Sequence, residues 1–539
     1  MNKWGFQNCV FIIGASLLGT SVVAVSNPLS TLLTKDEEKI LEARLRDFYE
    51  TNDLNVMNQR LPKTNPRDGF PVRRSKLRKK AGRASRPGWF EKKYKKNGEL
   101  KNWSSAKIGD KVTDLTETYL SPKQITYRLD EISTHGETSL DYWSGDYWRM
   151  NWGGTSYRYS SGKKFKLYKK AVEFYRQPQE WINLWDALSL ASILDVVEMW
   201  SPSEKYDLLM GDEKFTLTRE QKAEGADFVD KTGQVESWFG ICDGWSPASV
   251  FVPVPKKSVT TMGSNGITLK WYPDDIRALA SLAWTNGDFE TNFIGRRCED
   301  SNPRVYANGR IVDEDCADTN PATFHLALGL LLGESQVPFI MDASLDAEVW
   351  NQPVLSYEFK YFNPLKLSEQ SQNWRDVMVP YDESFKKRDR FQKPLTRGYK
   401  KDGHYFDGGI KAVVGVETTV VYLTEYEAKF YEKAQENVTE RVTYTYDLEL
   451  HQKDGELIAM GGEWHSNLHP DFLWVPKRNE VSTAKWDDKN LKVDLLSLPK
   501  ENLSELASKA SKEGYPLCSA IEALVNASSD GNRTYRCSK

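Results

Sequence analysis

The chain has 539 residues and a mass of 61.8 kDa, with 39% hydrophobic and 28% charged residues, which suffices for roughly two to four ordinary domains. Aromatics at 12% and a lack of repeats exclude disordered, collagen-like and solenoid chains, and six cysteines are too sparse for a disulfide knot. The net charge of −3 gives no reason to expect nucleic acid, but residues 1–101 hold 21 Lys/Arg against 10 Asp/Glu, a head at +11 before a body at −14.

Residues 1–26 have the pattern of an export signal. Lys3 is the only charge before Lys35, an apolar stretch follows from about Cys9, and Ala24-Val25-Ser26 offers small residues for cleavage. Residues 27–105 form a basic pro-segment or linker. Between Arg67 and Lys101 it carries 14 basic residues against 3 acidic, a surface suited to lying on the acidic body as an autoinhibitory strap. The expected location is therefore secreted or periplasmic, with no permanent membrane span.

Residues 106–230 form a mainly helical part. Within it, 140–160 (LDYWSGDYWRMNWGGTSYRYS) is dense in aromatics, suited either to a core or to a sugar platform. Pro273-Asp274-Asp275 opens a helix with proline and acids in its first turn. Residues 411–475 are strand-rich, and Val442, Tyr444, Tyr446, Leu448 and Leu450 alternate with polar neighbours. The expected class is α+β: a catalytic core over 231–365 follows the helical part, and a β-rich region fills 366–539.

Cysteine arithmetic picks out one thiol. Cys9 leaves with the signal, and sequence neighbours pair as Cys298–Cys316 and Cys518–Cys537. Cys242 remains, in Trp238-Phe239-Gly240-Ile241-Cys242-Asp243-Gly244-Trp245-Ser246-Pro247. A thiol before a helix N-terminus is pushed toward thiolate by the helix dipole. Trp238, Trp245 and Trp350 are expected as walls that keep water from the site, and Gln234 as an oxyanion donor. The expected base is His325. Ala322–Leu332 followed by Gly333-Glu334-Ser335-Gln336 and Val337–Asp342 predicts a hairpin, which sets Asp342 and Asp346 diagonally from His325 at roughly 7–8 Å. Either carboxylate would orient the imidazole, with Asp342 preferred.

Val349-Trp350-Asn351-Gln352-Pro353-Val354, the WFGICDGWSPAS segment and Gly461-Gly462-Glu463-Trp464 through Trp474 resemble the calcium-dependent transglutaminase elicitor family of oomycetes and Vibrio. The resemblance implies a papain-like core and protein-glutamine γ-glutamyltransferase activity on proteins with accessible glutamine and lysine. It makes Cys242 the nucleophile, His325 the base and Asp342 its partner. It also implies calcium, for which Asp288, Asp313 and Asp315 are the candidates. The triad alone equally suits a cysteine protease or a glutamine deamidase. A wall- or carbohydrate-binding protein without catalysis is the alternative from another class.

Overall fold

Alternation along strands organises the protein. The computed structural model describes residues 111–159, 197–198, 200–224, 235–295, 319–343, 348–389, 409–465, 469–487 and 491–536. The expected export signal and basic head lie outside the described residues. Seven strands form the spine of one antiparallel sheet: β1 (Thr291–Gly295), β2 (Ile340–Asp342), β3 (Asn351–Asn363), β4 (Ile410–Thr424), β5 (Val438–Lys453), β6 (Glu456–Trp464) and β7 (Phe472–Pro476). Their order across the sheet is β6-β5-β4-β3-β2-β7-β1, so β7 sits between two strands made much earlier in the chain.

Successive strand residues point to opposite faces, and two cores follow from that rule. Phe293, Ile340, Phe472 and Trp474 belong to one core, whereas their neighbours Ile294, Met341, Leu473 and Val475 belong to the other. The first core is packed by α1 (Pro202–Met210), α2 (Thr216–Glu224), α3 (Cys242–Phe251), α4 (Pro273–Asn286), α6 (Glu501–Ser511) and α7 (Cys518–Ser528). The second is covered by α5 (Pro321–Ala327) and a π-helical continuation over Leu328–Glu334. Among the described residues no helix is long and apolar enough to cross a membrane.

The α+β class is observed, and the predicted helix at Pro273 is α4. Pro273 opens it, and the Asp275 carboxylate accepts the Tyr272 backbone N–H at 2.8 Å. The strand-rich stretch is β4 to β7. One sheet, however, draws strands from both sides of residue 365: β3 pairs with β4, and β7 pairs with β1 and β2. The ranges 231–365 and 366–539 therefore interleave in one sheet. The last described elements of the expected β-rich region, α6 and α7, are helical.

The predicted hairpin is a correction. Residues 321–334 are helical because Asn320 caps the chain, its Oδ1 accepting the Ala322 N–H at 2.8 Å, and Pro321 occupies the first helical position. Leu328–Leu332, which follows, is apolar on every side because it is wholly enclosed. The aromatic segment at 140–160 is core: Trp143, Tyr147, Trp148, Trp152 and Tyr157 are all buried.

Candidate active site

Cys242 is the first residue of α3 and a free, buried thiol. Its segment folds against the aromatic stretch, where Ile241 N donates to Tyr147 O at 2.6 Å and Met150 N to Phe239 O at 2.8 Å. Glycine at position 240 permits this approach, since a Cβ there would lie 2.3 Å from Tyr147 O.

Across from the helix, β3 presents its first residues to the sulfur. Asn351 Nδ2 donates to Cys242 Sγ at 3.4 Å, and the thiol faces Val349 O at 3.6 Å. Asn351 Oδ1 accepts from Trp474 Nε1 at 2.8 Å. Asn351 lies directly opposite Asp342 on β2. Asp342 Oδ1 accepts the Trp350 backbone N–H at 3.1 Å, so this carboxylate holds the strand that carries the sulfur's contacts. Gln352 Nε2 donates to the buried Glu425 carboxylate at 3.1 and 3.4 Å.

Burial governs the ionisation here. It pushes the Cys242 thiol up to about 12, Asp243 and Glu425 push the same way, and the Asn351 donors oppose them. Burial thus works against the thiolate that the helix N-terminus was expected to favour. Burial likewise holds the Glu425 carboxyl up at about 7.

His325 is elsewhere. It lies on α5, stacks on Phe359 with ring centroids 3.8 Å apart and meets Tyr446 Oη through Nδ1 at 2.9 Å. Those neighbours belong to the second core, whereas Cys242 belongs to the first. Along β3, Asn351 and Phe359 are separated by about 26 Å of strand at roughly 3.3 Å per residue. The structure therefore brings Cys242 and Asp342 to one region and leaves His325 outside it. The physical cause is the helix at 321–334, which replaces the cross-strand pairing that was to set His325 beside Asp342.

The expected tryptophans divide. Trp350 abuts the site: it meets Tyr147 edge-on at 5.3 Å, and its Nε1 donates to Glu348 at 3.2 Å. Trp245 packs on α3 beside Gly145, and Trp238 packs on Phe239 with ring centroids 4.3 Å apart. Gln234, Asp346, Cys298, Cys316, Cys537, Asp313 and Asp315 lie outside the described residues. Sequence reasoning missed Asn351, Trp474 and Glu425. Asn351 stood inside the VWNQPV string, but a neutral amide carries no local sign of its role.

Asp288 is the calcium candidate that falls within the described residues. No group of three or more His, Cys, Asp or Glu side chains there converges on a metal position. Asp288 is tied by its backbone N–H to Thr483 O at 2.6 Å, and calcium takes about six to eight oxygens.

The buried histidines predict acid sensitivity. His325 and His469 are both lowered to about 3 by burial, against 6.5 ordinarily. The unfolded chain binds these protons below pH 6.5 while the fold resists them. Their share of the stability is therefore full above that pH and falls by about 1.4 kcal/mol per pH unit for each group as pH drops toward 3, against the opposite slope of the raised Glu425 carboxyl. Urea unfolding at pH 7, 6 and 5 measures this, and His325→Phe should remove one group's share. An equal slope in that variant would contradict the assignment.

The family described as Transglutaminase elicitor matches residues 112–486. A crystal structure of the GP42 transglutaminase from Phytophthora sojae is similar at 22% identity with a TM-score of 0.44, covering 74% of this chain and 97% of that one. No curated protein matches the chain.

Proposed function

From the premise that this chain belongs to the transglutaminase elicitor family, we propose that it is a secreted protein-glutamine γ-glutamyltransferase acting through Cys242. The observation that carries the reading is a free thiol at a helix start, gripped by Asn351 at 3.4 Å. A thiol facing a sheet from a helix end also supports a papain-like arrangement, with a different set of partners around the sulfur than the one expected.

In this mechanism the thiol loses its proton to a base. The sulfur attacks the carbonyl carbon of a glutamine side chain, the C–N bond breaks, and ammonia leaves with a proton, giving a thioester. A lysine amine then forms an isopeptide bond and returns the proton to sulfur. Water in place of the amine gives deamidation, so the enclosure by Trp350 and Tyr147 bears on product choice. Glu425 is the proposed base. Burial holds its carboxyl up at about 7, it accepts from Gln352, the neighbour of Asn351, and its charge is felt at the sulfur. Asp342 takes the role of anchoring Trp350. Glu425→Gln should lower kcat about a hundredfold or more with KM little changed; full activity in that variant would remove Glu425 from the mechanism.

Two features of the export reading join the proposal. Cys518 Sγ lies 3.7 Å from Tyr535 Oη, two residues before Cys537, which supports the Cys518–Cys537 pairing. The acidic body suits retention of the basic head, and trimming to about residue 101 should raise activity; equal rates before and after would remove autoinhibition.

The test of function is incubation of the processed protein with a glutamine peptide and a primary amine probe, with and without calcium. Amine incorporation that depends on Cys242 supports the transferase. Release of ammonia without incorporation would make it a deamidase, and peptide cleavage a protease.

A further inference from the structure

The amide of Asn351 has a fixed direction, and the cause lies in a third strand. An indole N–H only donates. Trp474 Nε1 sits 2.8 Å from the Asn351 side chain, so the oxygen end of the amide must face the indole. The nitrogen end is then turned toward Cys242 Sγ, at 3.4 Å. Both side chains are buried, so water does not compete for either bond. The backbone adds to this. Asn351 is pinned opposite Asp342, Trp474 pairs opposite Ile340, and the Asn351 main-chain N–H also favours charge on the sulfur.

The sulfur needs such donors. Asp243 and Glu425 both place negative charge near it, and among the described residues its hydrogen-bond contacts are Asn351 and the Val349 carbonyl. A carbonyl accepts from the thiol and so favours its neutral form. The amide of Asn351 opposes it.

We propose that Asn351 is a catalytic residue whose amide holds the Cys242 sulfur as thiolate during attack, with Trp474 the positioning residue that fixes which end of the amide faces the sulfur. When the proton has gone to the base, the charge on sulfur is met by Nδ2. As the C–S bond forms that charge passes to the substrate oxygen, and when the oxyanion collapses back to a carbonyl the glutamine nitrogen takes the base's proton and leaves as ammonia. When the amine resolves the thioester and the sulfur is expelled, the same donor receives it again. The inference rests on Cys242 as nucleophile and deepens that reading with a donor of no formal charge.

The test is the pH–rate profile for iodoacetamide alkylation of Cys242, which reads the thiol itself. In Asn351→Ala the midpoint should rise by about one unit or more, so alkylation below it slows about tenfold. In Asn351→Asp, which keeps the shape and adds a negative charge, it should rise further. Trp474→Phe, which keeps a ring and loses the N–H, should move the midpoint the same way by a smaller amount. Circular dichroism and thermal melting establish folding. An unchanged midpoint in folded Asn351→Ala overturns the inference; if that variant fails to fold, an unchanged midpoint in Trp474→Phe does so. Wild-type amine transfer with an unshifted midpoint sinks this inference alone. A shifted midpoint with no amine transfer sinks the transferase reading alone.

Discussion

Cys242→Ala should abolish amine incorporation, by about a thousandfold or more, while the protein stays folded. The loss follows because the thioester has no other sulfur to form on: Cys242 is the free cysteine among the described residues. Folding should survive because alanine fits where the small buried thiol sat. The cost is the lost sulfur contacts and an Asn351 donor left without its acceptor, about 1–2 kcal/mol together. Amine incorporation and a thermal melt, read side by side, check both halves. Retained incorporation in the alanine variant would exclude the thioester route. Collapse of the fold would instead show that the thiol is a packing element whose loss the core does not absorb.

Gly244→Ala should be the most destabilising of the conservative changes near the site, costing about 3 kcal/mol or more. A Cβ there would stand 1.9 Å from Thr285 Oγ1, 2.2 Å from Ser281 O and 2.5 Å from Thr285 N. Two of those atoms are backbone of α4, so rotating a side chain away does not relieve the clash. The two helices must separate, and Cys242, two residues earlier on α3, moves with them. Soluble yield and urea unfolding measure the effect. Gly455→Ala is the control: it has open space around it and a φ of +85°, so it should cost only about 1 kcal/mol, all of it backbone strain. Equal melts for the wild type and Gly244→Ala would show that the helix contact is looser than described.

What the sequence made legible was local. Proline and acids at 273–275 announced α4, and alternation from Val442 to Leu450 announced β5. The odd cysteine emerged from counting. The hairpin through His325 failed because an apolar run of that length suits a buried helix and a buried strand equally. The deciding signal, Asn320-Pro321 at the cap, stood in plain view. The site's real neighbours were beyond reach for a different reason. Cys242 and Asn351 are 109 residues apart, Asn351 and Trp474 are 123 apart, and Gln352 and Glu425 are 73 apart. Those meetings depend on sheet order and face parity, which no single segment encodes. The sign of the thiol's ionisation was illegible for the same cause. A helix N-terminus is visible in sequence, whereas the desolvation that works against it comes from residues brought in by the whole fold.

The place of β7 sets the order in which a nascent chain can assemble. β1 and β2 both wait for the strand at 472–476, so their open edges persist while residues 343–471 are made. Open edges invite pairing with other chains, and a holding chaperone would have to shield them until the tail emerges. Trp474 lies on that late strand, so the amide beside the thiol is oriented only when it docks. A ribosome-bound or truncated chain that ends before residue 472 thus carries the cysteine without the apparatus that directs it.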